Sequence, residues 1–131
     1  MAEYLLWFDK VGMDDVERVG GKNASLGQMI SQLGALGVQV PHGFATTADA
    51  YRTFLANDQL DKKIFDLLDS LDIDNIAALT KAGGQIRQWI MDTPFPAELE
   101  SALCEAYSKL EQEYGADSSF AVRSSATAED L

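Results

Sequence analysis

Val19-Gly20-Gly21-Lys22-Asn23-Ala24-Ser25-Leu26-Gly27 is the stretch on which the fold of this chain turns. Paired glycines let a backbone come close to another group, and the apolar residues Leu26, Met29, Ile30 and Leu33 recur at helical spacing. The pattern predicts a helix starting after Asn23, a residue suited to capping, and closing at Gly34 or Gly37. A glycine loop feeding a helix N-terminus presents backbone N–H groups to an anion. Lys22 adds a mobile positive charge suited to phosphate. The stretch is not a Walker A loop, since Val16 and Asn23 stand where that motif requires Gly and Ser or Thr. A plain loop with a surface Lys ahead of a helix has the same outline.

Working outward, Tyr4 to Phe8 is a short apolar run with aromatics and reads as a buried strand. Val38 to Ala45 reads as extended, with Pro41 and Gly43 marking a turn inside it. Thr47 can cap a helix running through Leu55, and Asp58 another carrying Leu60, Ile64, Leu67, Leu68 and Leu71. Asp74 opens a fourth helix with Ile76, Leu79, Ile86 and Ile90 on one side, although each of Gly83 and Gly84 weakens its middle by about 1 kcal/mol. Pro94 and Pro96 break the chain before a fifth helix with Leu99, Leu103, Ala106, Tyr107 and Leu110, closed by Gly115. Phe120 to Arg123 reads as a strand. The expected fold class is α/β, mixed and rich in helix.

Composition narrows the functions. The 131 residues carry a net charge of −11, which argues against a nucleic-acid or anionic-membrane surface because phosphate backbones reward Lys and Arg. The apolar run nearest the start, Tyr4 to Phe8, is far shorter than the roughly 20 residues of a membrane span. The N-terminus has neither the basic leader nor the small-residue cleavage site of a signal peptide. A single Cys104 forms no internal disulfide. These features predict a soluble cytoplasmic protein. Seven of the ten Gly lie within the first 43 positions, so backbone-permissive turns concentrate around the opening motif.

A second stretch carries chemistry: Phe120-Ala121-Val122-Arg123-Ser124-Ser125-Ala126-Thr127-Ala128-Glu129-Asp130-Leu131. An Arg delivered at a strand end, followed by hydroxyls and small residues, suits a polyphosphate. The guanidinium offers a planar fork for two oxygens, and hydroxyls and backbone N–H groups serve the remaining ones. A surface Arg before a Ser-rich turn has the same outline. Glu129 and Asp130 read as acids at a helix N-terminus, favoured by the dipole, and not as metal ligands. His42 sits in a Val-Pro-x-Gly-Phe turn and reads as polar surface. Cys104 reads as a half-buried thiol, and Trp7 and Trp89 as core or interface aromatics.

The two long motifs closely resemble the N-terminal nucleotide-binding region of the phosphoenolpyruvate synthase family, the pyruvate, water dikinases. Tyr4-Leu5-Leu6-Trp7-Phe8 and Val40-Pro41-His42-Gly43-Phe44-Ala45-Thr46-Thr47 look similar to that family as well. Rifampin phosphotransferase, a related enzyme, shares the second motif; the opening segment favours the synthases. The resemblance implies that residues 1–131 are the first portion of an ATP-grasp domain, with the phosphohistidine and pyruvate-binding domains absent. It implies ATP as the nucleotide and Lys22 and Arg123 as its phosphate contacts; Gly20, Gly21, Ser124 and Ser125, read from their own chemistry, are the further nucleotide-binding candidates.

The resemblance also places the Mg2+ ligands outside these residues, so none of them is expected to hold a metal or to be catalytic. In the family, ATP yields AMP and phosphate while the β-phosphoryl group passes to a carrier His and then to pyruvate, forming phosphoenolpyruvate for gluconeogenesis. A homodimer is the expectation for the full-length enzyme, and inactivity for the 131 residues alone. The alternative from a different class is a self-contained acidic binding module that reuses the phosphate loops without catalysis.

Overall fold

Leu6 is the residue around which the first sheet forms: its side chain is buried while its neighbours Leu5 and Trp7 are half-buried, the alternation of a strand with one covered face. A computed structural model describes residues 3–128, so Glu129 and Asp130 lie outside the described residues. Strand β1 (Leu5–Trp7) pairs antiparallel with β2 (Phe44–Thr46), with Leu5 opposite Thr46, Leu6 opposite Ala45 and Trp7 opposite Phe44. Two bonds extend the pairing at its ends, from the Thr47 N–H to the Tyr4 carbonyl and from the Phe8 N–H to the Gly43 carbonyl, each 3.0 Å. The ladder is shorter than the apolar runs suggested, because Phe8 turns into a 3-10 helix and Pro41 stays outside it with no N–H to donate.

Helix α1 (Val16–Val19) is a single turn, and α2 (Gly21–Gly34) follows at once. The cap of α2 is Gly20 at φ 85° and ψ 165°, not Asn23. Asn23 lies in the first turn and its side-chain N–H donates back to the Val19 carbonyl at 2.8 Å. The buried face of α2 also departs from the Leu26–Met29–Leu33 stripe. Ala24 and Gly27 are buried, whereas Met29 is 44% exposed. A Cβ on Gly27 would run into the Val11 carbonyl, so small residues let the helix approach the preceding chain. At the far end Gly37, at φ 84°, carries the chain out of the helix, and the Val38 N–H returns to the Leu33 carbonyl at 3.0 Å.

Helix α3 (Ala48–Ala56) begins as read: the Thr47 hydroxyl accepts the Ala50 N–H at 3.1 Å and donates to the Glu3 carbonyl at 2.6 Å. Helix α4 (Leu60–Asp69) is preceded by Asp58 and Gln59 at φ 52° and 58°, so Asp58 belongs to a left-handed kink and does not cap. Helix α5 (Ile76–Asp92) is capped by Asn75, which accepts the Ala78 N–H, one residue later than expected. Ile76 and Leu79 are 76% and 45% exposed, against the expectation of an apolar face there; Ala82 is the buried residue of that helix. Helix α6 (Ala97–Tyr114) buries Leu99, Ala106 and Leu110 and ends at Gly115, φ 96°.

Two compact units divide the chain. One takes the residues up to Tyr51 and from Glu98 onward; its core is Leu6, Val11, Val19, Ala24 and Ala45, with Phe8 and Val16 against it. The other is Arg52–Ala97, where Leu60 is 1% exposed and the Phe54 and Phe95 rings meet edge to face at 5.5 Å. No helix among the described residues is long and apolar enough to cross a membrane. The described architecture is a mixed α/β fold dominated by helix, as expected.

Candidate functional site

The segment after α6 determines where Arg123 lies. Gly115 turns the chain back, with the Ser118 N–H bonded to the Gly115 carbonyl at 3.2 Å. Phe120 then sets its ring against two aromatics of α6, Tyr107 at 5.6 Å and Tyr114 at 6.4 Å, both edge on. Beyond it residues 121–126 form no strand, a correction to the reading of Phe120–Arg123. A strand needs a neighbour to take its backbone bonds, and the described sheet consists of β1 and β2 alone. Val122 accordingly stands 96% exposed.

This segment meets the N-terminus of α2. The Gly21 N–H points to the Ala126 carbonyl at 3.4 Å, and the Lys22 ammonium donates to the Ser124 carbonyl at 3.5 Å across 102 positions of sequence. Lys22 and Arg123 are both exposed. Arg123 has no hydrogen bond or ion pair with another described residue, whereas Arg18 is held by Glu3 at 2.6 Å and Asp15 at 3.2 Å. The two chemical stretches of the sequence are therefore one place in the fold. Gly20 approaches Ser125 and Ala126 so closely that a Cβ would overlap the Ser125 hydroxyl. That hydroxyl is buried and has no hydrogen-bond partner among the described residues.

The parts that sequence reasoning missed are Phe120, as the anchor of the segment, and the Ala126 carbonyl. The first is detectable only through its ring contacts in space. The second is a backbone atom and leaves no side-chain signal.

The other singled-out residues lie elsewhere. His42 stacks on Trp7, ring centroids 5.1 Å apart, with its Nε2 3.8 Å from Asp9; its backbone N–H donates to the Tyr114 hydroxyl at 2.8 Å. Trp7, Asp9, Lys10, His42, Lys109 and Glu113 line an open depression of about 330 Å3 that includes none of the phosphate candidates. Cys104 is exposed, not half-buried, because it lies off the Leu99–Ala106–Leu110 face. Trp89 is half-buried on α5. No group of three or more His, Cys, Asp or Glu able to hold a metal occurs among the described residues.

A helix N-terminus, an ammonium and a guanidinium on adjoining segments are groups of the kind that nucleotide-binding domains turn toward phosphates. The chain belongs to the pyruvate phosphate dikinase AMP/ATP-binding domain family, whose model matches residues 16–131. It is similar to the phosphoenolpyruvate synthase of Escherichia coli, 58% identical over 127 residues, covering 97% of this chain and 16% of that protein. The phosphoenolpyruvate synthase of Neisseria meningitidis serogroup B is 57% identical over 129 residues, with coverage of 98% and 16%. That of Aquifex aeolicus is 44% identical over 128 residues, with coverage of 97% and 15%. The chain thus spans about one sixth of the length of these relatives.

Proposed function

We propose that residues 1–131 form the phosphate-gripping first part of an ATP-grasp domain in a phosphoenolpyruvate synthase. Lys22 and Arg123 hold the ATP phosphates, and Gly20, Gly21, Ser124 and Ser125 shape the loop edges around them. The observation that carries the reading is the meeting of the Gly20–Lys22 loop with the Ser124–Ala126 segment. Phosphoryl transfer asks a protein mainly for positioning and charge stabilisation. On a chain of net charge −11, a polyphosphate is repelled unless cations gather locally, and Lys22 and Arg123 supply them.

The whole enzyme, on this reading, converts ATP, pyruvate and water to phosphoenolpyruvate, AMP and phosphate through a carrier His, in the cytoplasm and as a homodimer. The names of the relatives, phosphoenolpyruvate synthases, support the product of that reaction. Mg2+ would neutralise phosphate charge when bound. On this reading its ligands belong to other parts of the enzyme.

The test is AMP release from ATP by the whole enzyme carrying Lys22→Ala or Arg123→Ala. Folded variants that release AMP at the parental rate overturn the reading.

A further inference from the structure

We infer that Gly20 and Ser125 form a steric clasp that sets the spacing of Lys22 and Arg123, making Ser125 a positioning residue and not a phosphate ligand; the inference rests on the nucleotide-binding reading above. Gly20 has φ 85° and ψ 165°, a region that side chains of L-residues avoid. A Cβ at that position would overlap the Ser125 Oγ and press on the Ala126 carbonyl and N–H at 2.9 and 3.0 Å. The fit is therefore specific to glycine for two separate reasons, backbone angle and space.

The Ser125 hydroxyl is closed to solvent and has no hydrogen-bond partner among the described residues. A phosphate oxygen reaches it only if Gly20 withdraws. A buried hydroxyl without a partner costs stability, so its placement here is explained by shape: it fills the space that the missing side chain of Gly20 leaves. The Gly21 and Lys22 hydrogen bonds to this segment are long, at 3.4 and 3.5 Å, and individually weak. The closest approach between the two segments is the packing of Gly20 on Ser125 and Ala126. Lys22 lies two positions after Gly20, and Arg123 two positions before Ser125. Widening the clasp displaces both cations together, and a misplacement of about 1 Å can cost about a hundredfold in rate.

The test uses the whole enzyme with Gly20→Ala, Ser125→Ala, the double variant and Lys22→Ala, with two measurements. One is AMP release at low ATP; the other is tryptic cleavage after Arg123 without nucleotide, followed by mass. Gly20→Ala is expected to slow AMP release by about 10- to 100-fold and to speed cleavage. Adding Ser125→Ala removes the first atom struck, so the double variant is expected to recover rate and to resist cleavage better than Gly20→Ala.

A double variant slower than Gly20→Ala makes Ser125 a ligand and overturns the clasp. Strictly additive effects overturn it as well, because residues in contact couple. Parental AMP release from Lys22→Ala defeats the nucleotide reading, while the cleavage measurement still decides whether the clasp exists. If Gly20→Ala does not accumulate as folded protein, Ser125→Leu crowds the same glycine without backbone strain and is expected to produce both effects. Parental behaviour of that variant overturns the inference.

Discussion

Lys22 and Arg123 are exposed, so removing either charge leaves little folding energy to lose. The phosphate hydrogen bonds proposed for them are charge-assisted, at about 1.5–3 kcal/mol each. Lys22→Ala or Arg123→Ala in the whole enzyme is therefore expected to slow phosphoenzyme formation by about 10- to 100-fold with an unchanged thermal melt. Arg123→Lys is not expected to restore the rate, since an ammonium does not reproduce the planar fork. Loss of activity that tracks loss of folded protein would instead make both residues structural.

Tyr4 gives a separate test at the same scale. Its hydroxyl donates to Glu98 at 3.1 Å, and this bond, then desolvation, then repulsion by the carboxylate raise its pKa above the ordinary tyrosine value of 10.0. The raised folded value means that the interaction stabilises fully below the unfolded pKa and fades as pH rises through the folded one. Ultraviolet titration of the phenols is expected to show a late component that Tyr4→Phe removes and Glu98→Gln lowers. A titration curve unaltered by Glu98→Gln would dismiss the coupling.

Helix α2 sets two effects of glycine against each other. Replacing an interior helical Gly by Ala gains about 1 kcal/mol in propensity. At Gly27 the added Cβ would enter the Val11 carbonyl, and overpacking of this kind costs about 1–3 kcal/mol. The steric term wins, so Gly27→Ala is expected to lower the denaturation midpoint. Gly34→Ala meets nothing within 4 Å and is expected to raise it by about 0.4–1 kcal/mol of stability. Equal and favourable shifts for both would show that α2 does not pack on Val11.

The same helix marks how far a sequence can be read. Thr47 was legible because its cap is local, made to a residue three positions on. Gly20 was not, because its role comes from Ser125 and Ala126, more than 100 positions away. Leu26, Met29 and Leu33 carry the apolar period, yet closeness of approach selected Ala24 and Gly27 for burial. The backbone at Arg123 was not legible, since residues 120–123 have strand composition without a neighbouring strand among the described residues. For the candidate site, residue types singled out both stretches, and only the fold showed that they touch.

At the scale of the whole molecule, the proposed reaction needs a nucleotide site, a phosphoryl carrier and an acceptor site, while the chain spans 16% of the relatives that share its pattern. Its only His is His42, and that ring is engaged on Trp7 at 5.1 Å with Asp9 at its Nε2. The depression it lines also holds Lys10, Lys109 and Glu113 and none of the phosphate candidates. A carrier must travel with the phosphoryl group it accepts, whereas this ring is stacked on a residue of a short strand and its backbone N–H is held by Tyr114. The expected outcome is that 131-residue material yields no phosphoenolpyruvate from ATP and pyruvate. In the whole enzyme, His42→Asn should still acquire radiolabel from ATP labelled at the β-phosphate. Label lost from that variant while it melts normally would make His42 the carrier, and product formed by the isolated chain would put the acceptor site within these residues. Either result would move the chemistry from the rest of the enzyme to the β1 side of this domain.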